Sequence, residues 1–301
     1  MDSVRTPDEN FAALDDFPFA PNYLQWNGLR IHYLDEGPAT GPVVLLLHGE
    51  PTWCYLYRKM IPALVAAGYR CIAPDYVGFG KSDKITDDGW YTIARHIGFV
   101  SDFIQTLDLT GINLVVQDWG GPIGLRQAVT MPERFARLFI LNTWLHHEGF
   151  DYNPDIRWWR QASQDPAQLG GDMPIGRIVA GTLGRDHHDK AKVVAAYLAP
   201  YTDMASKAGA RRFPYCLPFE NPGDGDAVNQ ARDFAALPGL PMSKHLIFGD
   251  ADKIFTADWG RAWAANLGAT FDAIKDGGHF VQEDGGEEIA QVMLGYLPKL
   301  A

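Results

Sequence analysis

The stretch "LVVQDWGGPIGL", residues 114–125, changes character at Asp118. Up to Val116 it is an apolar run, as expected of a strand buried on both faces. Trp119, Gly120 and Gly121 follow Asp118, and beyond them the spacing of apolar residues is helical. A strand turning sharply into a helix has the outline of a nucleophile elbow, which holds up one reactive side chain. The usual residue at the apex is Ser; here it is Asp118. A loop aspartate capping the next helix gives the same local pattern, so the rest of the chain must decide between the two.

Upstream, "YLQWNGLRIHYLDEG" (23–37) carries the hairpin signal Asn27-Gly28 between two strand-like segments. "PVVLLLHGEP" (42–51) is a continuous apolar run ending in a Gly turn. Residues 55–68 space their apolar positions as one helix closing on Gly68. Strand then loop (69–83), helix (91–109), strand (112–118), helix (120–135) and strand (136–144) follow. This alternation implies an α/β fold with a mostly parallel central sheet flanked by helices. It fails over a stretch rich in Pro, Gly and Trp and resumes at "MSKHLIFGDADKIF" (242–255), then a helix (258–268), residues 269–280 and a terminal helix (286–300). The expected organisation is a core in two parts, 1–145 and 231–301, interrupted by a helical cap over 146–230.

Composition narrows the function. In 301 residues, 47% are apolar and 21% charged, the balance of a soluble globular chain. The net charge of −11 argues against nucleic acid and anionic membranes as partners. No apolar run approaches the ~18 residues of a membrane span. The acidic N-terminus lacks the apolar region of a signal peptide. Cys54, Cys71 and Cys216 are odd in number and widely spaced, which fits reduced thiols in a cytoplasmic protein. His146-His147 and His187-His188 are adjacent pairs without the H-x-x-x-H spacing that puts two ligands on one helical face, so no metal is expected. Gly78-x-Gly80 lacks a full dinucleotide or phosphate-loop pattern and reads as a tight surface turn. No cofactor is implied.

Ligands bind beyond the carboxyl ends of the strands in sheets of this kind. Four such ends carry suggestive residues: His48-Gly49-Glu50-Pro51, Asp118-Trp119, Asp250 and Asp252, and His279. The order nucleophile, acid, histidine is that of a hydrolase triad. With "HGEPTW" (48–53), "APDYVGFGKSD" (73–83), "VVQDWGG" (115–121) and "GGHFVQE" (277–283), the chain resembles the haloalkane dehalogenases, α/β-hydrolases with an inserted cap. The resemblance runs from about residue 5 to the C-terminus and is weakest in the cap. Val116 departs from it, standing where a Gly is usual.

The resemblance implies hydrolysis of a carbon–halogen bond to alcohol, halide and proton, with a small halogenated alkane as substrate. A carboxylate, ionised above a pKa of about 4, needs no base to act as nucleophile. Asp118 would displace halide and become an alkyl ester, and His279 would deprotonate the water that hydrolyses it. Asp252 would orient His279; the family spacing Gly-x-x-Asp favours it over Asp250, left as a turn former. The backbone N–H groups of Glu50 and Trp119 would form the oxyanion hole. For the halide, the resemblance supplies Trp119 and a second donor. One branch of the family uses an Asn where this chain has Glu50; the other uses a cap Trp, for which "DIRWWRQA" (155–162) offers Trp159, followed by Arg, with Trp158 as alternative. One branch also carries a Glu at the end of the strand after the elbow, where this chain has Asn142. An epoxide hydrolase would share the Asp nucleophile and use cap tyrosines as acids, for which Tyr152, Tyr197, Tyr201 and Tyr215 are available. A monomer or weak oligomer is expected.

Overall fold

The computed structural model describes residues 2–14, 16–186, 189–219 and 221–300. The Asn27-Gly28 signal is realised: both residues have positive φ (49° and 81°), and this two-residue turn joins β1 (Asn22–Trp26) to β2 (Leu29–Glu36). Such turns match the twist of the strands they connect. The remaining strands of the main sheet are β3 (Val43–Leu47), β4 (Arg70–Pro74), β5 (Ile112–Gln117), β6 (Phe135–Leu141), β7 (Ser243–Gly249) and β8 (Thr270–Ile274). Their spatial order is β8-β7-β6-β5-β3-β4-β2-β1. From β8 to β4 all neighbours are parallel; β2 is antiparallel to both β4 and β1. A short separate ribbon pairs Ser3–Val4 with Lys84–Ile85.

This order explains where the site lies. After β3 the chain moves to one side to lay down β4, then returns to the other side for β5. The neighbouring carboxyl ends of β3 and β5 therefore flank a topological switch point, where loops diverge and leave a crevice. Leu47 pairs with Val116 at the last register of the two strands, so Glu50 and Asp118 emerge side by side. Every residue of β3 and β5 is buried, which accounts for the unbroken apolar run of β3; in β5 the buried Asn113 donates its amide to the Val43 carbonyl (3.0 Å).

Three helices differ from the sequence reading, each for a local reason. Residues 55–68 form a 3₁₀ turn (Cys54–Tyr57) and a short α1 (Ile61–Ala66), not one helix. Pro62 in the first turn of α1 has no N–H, and its ring excludes a helical carbonyl four residues back. After α2 (Ile93–Thr106), α3 (Gly120–Thr130) stops short of 135 because Pro132 opens a separate turn. At the other end, α9 (Ala257–Leu267) precedes β8, and α10 (Val281–Tyr296) is kinked at Gly285 (φ −145°, ψ 39°), so the expected helix from 286 is preceded by an extra turn directly behind His279 and Phe280. Between β6 and β7 the chain makes α4 (Pro154–Gln164), α5 (Ile175–Gly181), α6 (Lys190–Leu198), α7 (Ala208–Tyr215) and α8 (Ala227–Ala236). Helix α8 crosses residue 230 unbroken and packs on α3. Among the described residues no helix is long and apolar enough to cross a membrane.

At the head of α3, a Cβ on Gly120 would lie 2.2 Å from the Leu47 carbonyl oxygen. That neighbour is backbone in a central strand and has nowhere to move. Gly120→Ala should lower the unfolding free energy by about 1–3 kcal/mol, the usual cost of overpacking. The expected signature is a lower urea midpoint with an unchanged denaturant slope.

Candidate active site

Asp118 follows β5 with φ at 49°, the left-handed conformation of an elbow apex. Four contacts hold it. Its N–H donates to the Asn142 carbonyl (3.1 Å), and its own carbonyl accepts from Gly121 N–H (2.8 Å) and Thr143 Oγ1 (2.5 Å). On the side chain, Oδ1 accepts the Glu50 N–H at 2.8 Å. That last bond needs Gly49, since a Cβ there would fall 2.3 Å from the same carboxylate. Val116, the departure from the family pattern, is accommodated across the strand–helix crossing by Gly124, where a Cβ would meet its methyl at 2.7 Å. His48 is structural: its Nδ1 pairs with the Gly49 carbonyl (2.8 Å) and its Nε2 accepts the Tyr76 N–H (3.2 Å), fastening the loop after β3.

His279 stands between two carboxylates. Its Nδ1 meets Asp252 Oδ2 at 3.1 Å and its Nε2 meets Asp118 Oδ2 at 3.5 Å. All three side chains are buried. Burial works against a charged ring, but the negative charges of Asp252 and Asp118 outweigh it and raise His279 to about 10. Asp250 is not part of this set; it accepts the Asp276 N–H at 2.6 Å and shapes the turn after β8.

Two residues not singled out as participants complete the triad's support. Asn142, noted only because it is not the Glu of another branch, donates Nδ2 to Asp252 Oδ2 (2.7 Å) and accepts the Gly249 N–H on Oδ1 (2.9 Å). It thus fixes the acid and ties β6 to β7. A hydrogen bond to a charged group of this kind contributes roughly 1.5–3 kcal/mol. Gln117 donates Nε2 to the His279 carbonyl at 3.1 Å. Its place immediately before the apex was a usable signal, because the residue preceding Asp118 must point toward a neighbouring loop.

Trp119 is buried, with its ring edge-on to Trp144 (4.8 Å) and Phe213 of α7 (5.7 Å). Trp144 stacks on Phe255 (4.6 Å), whose ring reaches His279 (5.7 Å), so an aromatic wall runs from Trp119, beside Asp118, to His279. The two adjacent tryptophans of α4 separate as helix geometry requires: Trp158 is 55% exposed, whereas Trp159 is half-buried against the core. Glu50 is buried, and no hydrogen-bond partner is found for its Oε1 among the described residues. Burial and the adjacent Asp118 push its carboxyl well above the usual range, with His279 pulling the other way, so the neutral acid is favoured.

The other sequence features fall outside the site. The Gly78-x-Gly80 turn is tight but buried, not on the surface. Gly80 lies against the Asp75 carboxylate, which also accepts from Cys54 N–H (2.8 Å) and Lys81 N–H (2.8 Å) and pairs with His32 Nδ1 (2.7 Å). His32, Cys54 and Asp75 cluster closely enough to ligate, but these bonds already use both oxygens of Asp75. Of the cap tyrosines, Tyr152 pairs with His146 Nδ1 (2.9 Å) and Tyr197 donates to Glu283 Oε1 (2.6 Å). Glu283 is also bound by Arg58, which makes a buried clasp between α6, α10 and the 3₁₀ turn. Tyr215 lies under the Arg160 and Arg212 guanidinium groups; only the Tyr201 hydroxyl is buried and unpartnered. His187-His188 lies outside the described residues.

An eight-stranded sheet of this order, with Asp118, Asp252 and His279 brought together at its carboxyl edge, has the architecture of an α/β-hydrolase. Residues 42–286 match the family model of the alpha/beta hydrolase fold. The chain is 41% identical to a haloalkane dehalogenase of Psychrobacter cryohalolentis, over 99% of its own length and 98% of the relative's. It is 40% identical to one from Mycobacterium marinum, over 98% and 100% of the two chains. The structure of the tetrameric haloalkane dehalogenase DpaA from Paraglaciecola agarilytica superposes with a TM-score of 0.91, at 33% identity and full coverage of both chains. The chain therefore belongs to the haloalkane dehalogenases, enzymes of the α/β-hydrolase fold, and its reaction is hydrolytic dehalogenation of haloalkanes.

The raised pKa of His279 has a thermodynamic consequence. The folded chain keeps that proton up to about pH 10, an unfolded histidine only to about 6.5. The stabilisation is complete below pH ~6.5 and is lost as pH rises through about 10. Unfolding free energies from urea titrations should therefore fall more steeply from neutral to alkaline pH in the wild type than in His279→Phe. Parallel curves would show that His279 holds no such proton.

Proposed function

We propose that the reaction runs through a covalent alkyl ester on Asp118. The observation that carries this reading is the division of labour on its carboxylate: Oδ1 is held by the Glu50 N–H, and Oδ2 faces His279. Oδ2 attacks the halogen-bearing carbon, the new C–O bond forms, and the halide departs with the electron pair of the broken bond. The ester is neutral. Its formation removes one of the two negative charges that hold the proton on His279, so that proton leaves to solvent and the neutral ring becomes available as a base only after displacement. His279 then takes a proton from water, and the hydroxide adds to the Asp118 carbonyl carbon. Negative charge develops on Oδ1, where the Glu50 N–H already points and where the Trp119 N–H, first of the following helix, supplies the second donor. Collapse expels the alcohol with the proton from His279, and the regenerated carboxylic acid passes its proton to His279, which restores the starting ion pair.

Residues 146–230 act as the cap over this site. Trp119 and Trp159 hold the leaving halide through their indole N–H groups, as in the branch that uses a cap tryptophan. The half-burial of Trp159, against the exposure of Trp158, supports that choice. Of the cap tyrosines that an epoxide hydrolase would use as acids, Tyr152 and Tyr197 spend their hydroxyls on His146 and Glu283, which leaves the buried Tyr201 hydroxyl for that alternative.

Two experiments test this reading. In His279→Phe, one burst of halide near enzyme stoichiometry should be followed by no turnover, with an alkyl adduct on the Asp118 peptide by mass spectrometry. Sustained turnover would contradict the role of His279. For the halide, Trp159→Phe deletes a donor and keeps most of the ring. The loss of one such donor slows reaction by about a hundredfold or more, and bromide quenching of tryptophan fluorescence should weaken with it. Trp158→Phe should match the wild type; the reverse pattern would move the role to Trp158.

A further inference from the structure

We infer that Asp284 is a positioning residue for the base: it fastens the helical insertion to the His279 loop and so governs ester hydrolysis, not halide displacement. Asp284 lies in the first turn of α10 and is buried. Its Oδ2 accepts the N–H of Gly278 (2.7 Å) and of Gly184 (2.9 Å), and its Oδ1 accepts that of Arg185 (3.0 Å). Gly278 immediately precedes His279. Gly184 and Arg185 belong to the segment that leaves α5. One carboxylate thus joins two chain segments nearly a hundred residues apart.

The backbone of that segment meets the His279 loop directly. The His279 N–H donates to the Thr182 carbonyl at 3.1 Å. A Cβ on Gly278 would fall 2.3 Å from the same carbonyl oxygen, and one on Gly184 would fall 2.3 Å from the Asp276 carbonyl oxygen. Arg185 adds a second fastening through its side chain, to the Lys275 carbonyl (2.8 Å), the Asp284 carbonyl (2.9 Å) and Glu288 (2.7 Å). The position of the base is therefore set partly by the insertion and not by the sheet alone.

The two chemical steps differ in their need for this fastening. Displacement uses the Asp118 carboxylate and the halide donors, with no proton transfer by His279. Hydrolysis requires His279 Nε2 to hold a water in line with the ester carbon, and an error of about 1 Å in such an arrangement can cost a hundredfold in rate. An Asn at 284 offers one acceptor oxygen where three N–H groups converge, and its own amide would set N–H against N–H.

The inference rests on the alkyl-ester reading above, and the experiment separates the two. Halide release is followed in rapid-quench reactions of Asp284→Asn with 1-bromobutane, with the Asp118 peptide monitored by mass spectrometry. The expected result is a burst rate within about twofold of wild type, hydrolysis slowed by on the order of 10- to 100-fold, and alkyl-enzyme accumulating at steady state. If Asp284→Asn does not fold, Arg185→Ala, which leaves the carboxylate in place, should show the same split more weakly. Equal slowing of both steps, or unslowed hydrolysis, overturns the role of Asp284. Absence of any adduct in His279→Phe overturns the covalent reading, and this role with it.

Discussion

Asp118 occupies a backbone conformation that costs a non-glycine residue roughly 1–3 kcal/mol, and much of the surrounding structure holds it there. Asn142 and Thr143 from the end of β6, Gly121 from α3 and Glu50 from the loop after β3 each supply a bond to it. Three elements must therefore arrive within hydrogen-bonding distance at one point. The parallel register of β3, β5 and β6 delivers them, and the missing Cβ atoms at Gly49 and Gly120 let them approach. The conformational cost is offset by a carboxylate lifted clear of the sheet with one oxygen bound and the other directed at the base.

In the proposed mechanism, electrostatics order the two steps in time. A ring between two buried carboxylates keeps its proton and cannot serve as a base, while a ring facing one carboxylate and a neutral ester is much closer to doing so. Asn142 and the Ile254 N–H (2.7 Å) keep the Asp252 carboxylate oriented throughout. Glu50 adds little charge of its own, since burial beside Asp118 favours its neutral form.

Much of this was legible in the sequence where the signal is local. The Asn27-Gly28 turn, the apolar strands and the strand–Asp–helix elbow each follow from conformational rules acting over a few residues. The chain order of Asp118, Asp252 and His279 added the site, and their side chains do converge. The less legible features depend on partners far along the chain. Nothing near Asn142 announces that its amide will meet Asp252, 110 residues later. The burial of the 76–80 turn depends on side chains from elsewhere in the chain, Tyr91 against Gly78 and Phe213 against Phe79, and the interruption of 55–68 shows that apolar periodicity yields to a single proline. Adjacent tryptophans in α4 had to differ in exposure by helix geometry, but which one turns inward is set by its packing partners.

The clasp of Arg58, Glu283 and Tyr197 bears on how such enzymes can be re-engineered. Glu283 is fully interior; Arg58 opposes its charge, and a tyrosine on α6 donates a hydrogen bond to it. A chimera that exchanges the insertion for that of a relative removes this tyrosine and leaves a buried carboxylate short of a partner four residues after the base. The insertion is therefore not an interchangeable module. The segment leaving α5 and Tyr197 on α6 have to travel with the core.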